Sequence, residues 1–158
     1  MSKPQTMHAR DAVSAGQAEC YVTIDGERIN FMQAKNVKAE IDKTKTSFGI
    51  LGRVAKGNKS TGAEYSASAE FYANTSIFRK IFLHFQETGE DIYFDMQLTN
   101  EDPTSSVGRQ TVILKDCNLD SGIIAQFDVD EEILTDSIDF TYESFLMPET
   151  YKDLDGMR

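Results

Sequence analysis

Few side chains in this sequence have the types and spacing that catalysis or metal binding requires. The chain contains two histidines, His8 near its beginning and His84 within an apolar segment, and two cysteines, Cys20 and Cys117. A nucleophile needs a base within hydrogen-bond reach, and a structural zinc needs ligands at short spacings. The cysteines match no metal or redox spacing, so they are predicted to be small buried residues of a reducing compartment. We therefore expect no catalytic residue, no metal site and no cofactor.

Two short segments imitate ligand-binding loops but lack the required residues. Gly52 and Gly57 precede Lys59 as in a phosphate-binding loop, yet one extra residue separates Gly57 from Lys59, and a strand pattern follows where that motif needs a helix. The acidic run 128–132 lacks the glycine and the bidentate glutamate of a helical calcium-binding loop. An exposed loop and a solvated acidic turn are the simpler interpretations.

The charges are distributed unevenly along the chain. The net charge is −10, and all of it lies in residues 116–158, which hold twelve acidic and two basic residues. Residues 28–59 hold eight basic and two acidic residues. Such a chain is complementary to another copy of itself, and head-to-tail contacts would repeat; an imbalance between solvated faces is the alternative. Because nucleic-acid affinity comes from neutralising phosphates, specific binding of DNA is not expected.

The length of 158 residues suits one domain with a single core. The N-terminus has no apolar run typical of a signal peptide, and no apolar run reaches the length of a membrane span, so we expect a soluble protein without a membrane anchor that is made in a cytosol. Within the chain we predict a flexible N-terminal arm (1–18), a β domain (19–150) and a C-terminal tail (151–158).

Alternating apolar and polar residues predict that most of the chain forms β-strands. Asp25-Gly26 lies between two such segments and predicts a hairpin turn. Residues 55–62, rich in Gly and Lys, predict an exposed loop, and Pro148 is predicted to end the last strand. Strand patterns occupy residues 20–24, 29–31, 65–71, 92–98, 111–114, 123–129 and 138–142.

One segment changes to a helical period. Its apolar residues recur every three or four positions and form one stripe, and the helix is predicted to begin after Ser76 as N-cap and to end near Gly89. Seven or eight short strands with one helix predict a mainly β fold, a two-sheet sandwich or barrel with the helix packed on one side. The apolar stripe consists of Ile77, Phe78, Ile81, Phe82 and Phe85.

Several blocks of this sequence resemble the tail tube proteins of contractile phage tails. In the first half they are Gly52-Arg53, Gly57-x-Lys59-x-Thr61-Gly62 and Phe71-Tyr72. In the second half they are Asp116-x-Asn118-x-Asp120-Ser121, Ile124-Ala125, Asp128-Val129-Asp130 and Phe140-Thr141-Tyr142-Glu143-x-Phe145-x-x-Pro148-Glu149. The second-half blocks keep the order and spacing of the family, and the resemblance covers roughly residues 19–150.

The resemblance implies a two-sheet β fold with a flanking helix, in which six copies close a ring and rings stack into a hollow tube inside a contractile sheath. The implied partners are other copies of the chain, the tail sheath protein, and the initiator, baseplate and terminator proteins. The implied location is the tail of a virion or phage-like particle assembled in the bacterial cytoplasm. DNA would pass without specific binding, or the tube would puncture an envelope, as in phage-derived bacteriocins. The family is similar in fold to type VI secretion tubes, and no enzymatic activity is expected.

Two groups of residues are candidates for assembly contacts. In the family the long loop between early strands reaches the neighbouring ring, and this loop corresponds to residues 43–62. Its basic candidates are Lys43, Lys45, Arg53, Lys56 and Lys59. Candidates for the channel lining or an acidic interface are Glu70, Asp95, Asp128, Asp130, Asp139 and Glu143. The alternative function is a monomeric β-barrel that binds a ligand or acts as a secreted effector.

Overall fold

A computed structural model describes residues 5–158, in which eight antiparallel β-strands and one α-helix are the main elements. The strands are β1 Ala18–Ile24, β2 Glu27–Asn30, β3 Ala34–Phe48, β4 Gly57–Tyr72, β5 Phe94–Glu101, β6 Arg109–Gly122, β7 Thr135–Thr141 and β8 Ser144–Glu149. The helix α1 spans Ile77–Thr88, and a short 3-10 helix spans Ala9–Asp11. The mainly β class with one helix is therefore confirmed.

The strands form one continuous sheet in the order β2-β1-β5-β6-β7-β4-β3, with β8 also paired to β6. The first part of β6 pairs with β5 and with β8, and its last residues pair with β7. Near the end of the first part Asp116 has a φ of 53°; the register with β5 shifts across it, and the register with β7 shifts after Leu119. Such irregularities bend a strand. The hydrogen bonds thus join all eight strands into one sheet, because β6 is long enough to pair in both halves.

The core is built from the apolar sides of the strands and of α1. Phe94 of β5 packs against Phe140 of β7 with ring centroids 5.6 Å apart, and Phe78 of α1 lies 5.7 Å from Phe94. Cys20 and Cys117 are both free and buried in this core, as the sequence predicts. Desolvation raises the pKa of each thiol to about 12. Aromatic packing therefore joins the two halves of the sheet to the helix.

Turn chemistry and alternation predict the central strands correctly. Asp25 and Gly26 have φ values of 51° and 78°, the left-handed conformation that a two-residue hairpin turn needs. In β4 the side chains of Ala67, Ala69 and Phe71 are buried, and the residues between them face away from the core. The predicted alternation of the strand at 138–142 is also confirmed in β7.

The helix lies where its apolar period predicts. It buries Phe78 and Ile81, and it ends at Gly89, whose φ of 74° is the left-handed cap that favours glycine. Ser76 precedes the first helical residue, but its side chain makes no capping hydrogen bond. The hydroxyl of Thr75 accepts a hydrogen bond of 3.5 Å from the first amide of the helix.

Three predictions about the strands are wrong. Residues 57–62 belong to β4 and not to a loop, because they pair with β3. Residues 123–129 do not form a strand but lie in an irregular segment between β6 and β7. Pro148 lies inside β8 and does not end the preceding strand; β8 pairs only with β6, and an edge strand tolerates the missing N–H.

The segment before β1 contacts the turn between β5 and β6. The carboxylate of Asp11 accepts hydrogen bonds from the amide and hydroxyl of Ser106 at 2.9 and 2.8 Å, which lower its pKa. The buried Asp102 accepts a hydrogen bond from the Ser14 amide at 3.0 Å. Residues 1–4 of the predicted N-terminal arm lie outside the described residues.

Neither a membrane span nor a metal cluster is found within residues 5–158. No helix in this range is long and apolar enough to cross a bilayer. In the same range no three His, Cys, Asp or Glu side chains lie close enough together to hold a metal ion.

Candidate assembly surfaces

The hairpin of β3 and β4 continues beyond the rest of the sheet as an arm, defined here as residues 41–65. Residues 66–72 of β4 pair with both β3 and β7, whereas residues 57–65 pair with β3 alone. Nearly every residue of the arm is exposed. At its tip, residues 49–56, Leu51 and Val54 are 102% and 106% exposed. The arm therefore presents apolar side chains that no other residue in the range 5–158 covers.

All five basic candidates lie on the arm. Lys43 and Lys45 are in β3, Lys59 is in β4, and Arg53 and Lys56 are in the tip. Residues 43–62 contain no acidic residue, so this part of the arm carries five positive charges. The structure thus brings the predicted residues together, although most of the predicted loop is a two-stranded hairpin.

Aromatic residues hold the point where the arm leaves the sheet. The ring of Tyr65 lies 5.1 Å from that of Tyr142 and 6.1 Å from that of Phe145. The hydroxyl of Tyr142 donates a hydrogen bond of 2.8 Å to the carbonyl of Glu40 in β3. Desolvation raises the pKa of Tyr142. The arm therefore begins from a fixed base.

The sheet next to the arm has a polar face on the side opposite the core. Ser68 of β4 lies between Lys38 of β3 and Asp139 of β7, and Glu70 lies opposite Ser137. Residues opposite one another share a face, so Glu70 and Asp139 are diagonal neighbours on it. The polar face consists of Lys38, Glu40, Ser66, Ser68, Glu70, Ser137, Asp139 and Thr141.

The other acidic candidates lie elsewhere. Asp95 of β5 accepts a hydrogen bond of 3.2 Å from Lys115 Nζ and is therefore paired with a base in the other half of the sheet. Glu143 is exposed between β7 and β8. The segment between β6 and β7 contains the last two, Asp128 and Asp130. Of the six acidic candidates, only Glu70 and Asp139 thus lie on the polar face.

The segment between β6 and β7, called the 123–134 loop here, is held at its base by partly buried polar contacts. Arg79 of α1 donates hydrogen bonds to both carboxylate oxygens of Asp136, at 2.9 and 3.0 Å, and to the carbonyl of Ile123 at 3.1 Å. Gln126 Nε2 donates to Asp136 and to the carbonyl of Thr135, both at 2.6 Å. The start and end of the loop are therefore fixed to the helix and to each other.

The middle of the 123–134 loop is exposed, apolar and acidic. Phe127 and Val129 are each 90% exposed, and Ile124 and Ile133 are more than half exposed. Four acidic residues and no basic residue lie in the loop. The predicted solvated turn within 128–132 is confirmed, and Asp128 accepts a hydrogen bond from the amide of Asp130 at 3.0 Å. Sequence reasoning found the acids but missed Arg79, which with Lys80 forms a pair of adjacent bases between apolar residues of the helix.

Comparison with known proteins identifies the family of this chain. The family model described as phage tail tube protein matches residues 5–149. The chain belongs to the phage tail tube protein family. It is therefore a structural component of the tail tube of a phage or phage-like particle.

Relatives and solved structures support the same family. This tail tube protein is 35% identical over 147 residues to the phage-like element PBSX protein XkdM of Bacillus subtilis. The matched region covers 93% of this chain and 97% of the relative. A chain of the PVC sheath-tube complex, an extracellular contractile injection system, has a TM-score of 0.65 at 11% identity and covers 88% and 93% of the two chains. The SPP1 tail tube has a TM-score of 0.62 at 10% identity, with 89% and 80% covered. At these identities the two structures show a shared fold.

This tail tube protein has open strand edges. Among the strands of residues 5–158, β2, β3 and β8 each pair with a single neighbour. On β8, Phe145, Leu146 and Met147 are 40–52% exposed. At its end Glu149 accepts hydrogen bonds from the guanidinium of Arg109, which lower the pKa of the carboxyl and raise that of the base. Unpaired strand edges are templates for pairing with another chain.

Proposed function

We propose that six copies of this chain close into a ring and that the rings stack head to tail into a hollow tube. The observation that carries the proposal is the arm, a two-stranded hairpin with almost every residue exposed. A two-stranded hairpin is at best marginally stable alone in water. An arm of this length is therefore expected to be stabilised by another copy.

Ring closure would use the open edges of the sheet. Strand pairing between neighbouring copies satisfies the N–H and C=O groups that a single chain leaves to water, and a closed ring has no free edge. The apolar side chains of β8 would then become covered. Because each interface joins two different edges, it is heterologous, and sixfold rotation closes it.

Stacking would use the basic arm against the acidic residues of a copy in the next ring. Exposed ion pairs contribute only about 0–1 kcal/mol each, so charge orients the contact while apolar burial supplies most of its stability. In this arrangement the basic part of the sequence in one ring would face the acidic part in the next ring, so the uneven charge distribution would orient the rings.

The channel would be lined by the polar face. Serine and threonine hydroxyls alternate there with Glu40, Glu70 and Asp139, and Lys38 pairs with Glu40 at 3.1 Å. Carboxylates repel phosphates, so such a wall lets DNA slide without specific binding. The sheath, the initiator or baseplate, and the terminator would be the other partners of a tube assembled in the bacterial cytoplasm, with DNA passage or envelope puncture as its use.

The ring and the tube are tested by measuring the mass of the purified chain over a concentration series, with negative-stain images of the concentrated samples. We expect hexamers and then tubes of constant diameter. A strictly monomeric chain at every concentration would contradict the proposal and favour the monomeric ligand-binding or effector alternative.

The channel lining is tested by reversing two charges on the polar face. Tubes of the Glu70→Lys, Asp139→Lys variant should retain short DNA fragments, because each ring would gain twelve lysines along the channel, whereas wild-type tubes should not. The matched control is Glu87→Lys, Glu90→Lys, which makes the same charge change on and beside α1. Equal retention of DNA by both variants would contradict the proposal that the polar face lines the channel.

A further inference from the structure

Two exposed apolar clusters within residues 5–158 carry opposite charges. The arm tip presents Leu51 and Val54 among Arg53 and Lys56. The 123–134 loop presents Phe127 and Val129 among acidic residues. Exposed apolar patches rimmed by charged residues are typical of contact sites. The two clusters are therefore complementary, because each combines exposed apolar side chains with charges opposite to those of the other.

The two clusters lie at opposite ends of the same strand pair. The 123–134 loop enters β7 at Thr135, which lies opposite Tyr72 at the last residue of β4. The arm tip enters β4 at its first residue, Gly57. Fifteen residue steps of about 3.3 Å separate these ends, or about 50 Å along the strand. The clusters of one chain cannot meet each other, but those of two stacked copies can.

We propose that the arm tip of one copy docks on the 123–134 loop of a copy in the next ring, with Leu51 and Val54 packed against Phe127 and Val129. The proposal rests on the stacked tube proposed above and names the surface that receives the arm. Burial of the four side chains stabilises the contact, and Arg53 and Lys56 face the loop acids and select the orientation.

The receiving surface is held ready before docking. Arg79 and Gln126 fix both ends of the loop to the buried Asp136, so less conformational entropy is lost when the arm binds. The side chains of Asp130 and Glu131 are exposed on this fixed support. The contact is heterologous, and repetition from ring to ring extends a tube without limit.

A disulfide test locates the contact. The chain carrying Leu51→Cys and Phe127→Cys is assembled into tubes, oxidised and run on a non-reducing gel. We expect a ladder of covalently linked copies, at least about tenfold stronger than at dilutions where the chain is monomeric, because docking raises the local thiol concentration. The matched control carries Leu51→Cys and Leu83→Cys, with the second cysteine on α1. The native cysteines are buried and remain unlinked.

Each outcome decides between the two proposals. Tubes that give no stronger ladder with Phe127→Cys than with Leu83→Cys would overturn the docking surface and leave the stacked tube standing. A wild-type chain that never assembles would overturn both.

Charge reversal gives a second test if a cysteine variant does not assemble. The pair Arg53→Glu, Lys56→Glu and the pair Asp130→Lys, Glu131→Lys should each raise the critical concentration for tube growth by about tenfold, the change that 1.4 kcal/mol produces. The chain carrying all four changes restores the complementary charges and should assemble nearly as well as the wild type. A fourfold variant no better than the worse pair would contradict the docking surface.

Discussion

The strands β3 and β4 pair along their whole length, but the two halves of this hairpin lie in different surroundings. From residue 66 onward β4 also pairs with β7, and its apolar side chains enter the core. In the arm, among the described residues, β3 and β4 pair only with each other, and nearly every side chain is exposed. The first half is stabilised within one chain. The second half keeps strand geometry but gains little burial, so its stabilisation has to come from other copies.

The largest expected effect lies in the half that is buried. Phe140→Ala should lower the free energy of unfolding of the monomer by about 3–5 kcal/mol, because a fully buried ring is removed from the core. The same substitution in the arm, Phe48→Ala, should change it by about 0.5 kcal/mol or less, as expected for a surface site. Urea unfolding below the assembly concentration measures both. Equal losses would mean that the arm belongs to the cooperative core.

The contrast recurs within the 123–134 loop, between its anchored base and its exposed middle. Arg79→Met should destabilise the monomer by about 3 kcal/mol, since Asp136, only 4% exposed, would be left without its basic partner. Phe127→Ala should leave stability nearly unchanged and should weaken tube growth instead. Thermal unfolding of both variants, with sedimentation of assembled samples, separates the two effects. A stable Arg79→Met chain would show that the ion pair does not hold the loop.

Shortening the arm should separate folding from assembly. Residues 45–61 can be replaced by an Asn-Gly turn, because Thr44 and Gly62 lie opposite each other and a two-residue turn can join them. The shortened chain should keep its unfolding midpoint and lose stacking. Electron microscopy should show rings at most. Normal tubes from this chain would rule out the arm as a stacking element.

A smaller change on the arm tests the charge alone. Lys56→Glu with Lys59→Glu should shift the free energy of unfolding by no more than about 0.5 kcal/mol, because both residues are exposed. Tube growth should slow, and added salt should reduce its difference from the wild type, since salt screens exposed charges. Light scattering over a salt series measures the growth rate and its salt dependence for the variant and the wild type. Growth at the wild-type rate at every salt concentration would exclude an electrostatic role for these lysines.

The smallest effect is expected at the native thiols. Their pKa of about 12 leaves almost no thiolate near neutral pH, so Cys20 and Cys117 should stay unlabelled by a thiol reagent in the folded chain. A cysteine placed at the tip by Leu51→Cys should react at once. Mass spectrometry of timed samples counts the labels. Fast labelling of a native cysteine would reveal local opening of the core.

Sequence reasoning succeeded where a local signal and burial agree. Asp25-Gly26 marked the hairpin turn, the helical period marked α1, and alternation marked the buried side of β4 and β7. It failed on the arm, because Gly57 and Gly62 resemble loop residues and nothing buried constrains their neighbours. It failed on residues 123–129, where apolar alternation had no strand to pair with.

The sequence by itself determined the mainly β class, the single helix, the buried cysteines and the separation of basic from acidic residues. These follow from periods and charges that each segment carries alone. Only the tertiary structure decided that the basic residues lie on a projecting arm, that Arg79 and Asp136 fix the 123–134 loop, and that the two exposed clusters lie at opposite ends of β4. The physical reason is that strand pairing is long-range: register joins residues far apart in the chain, and no local pattern specifies which edge remains open.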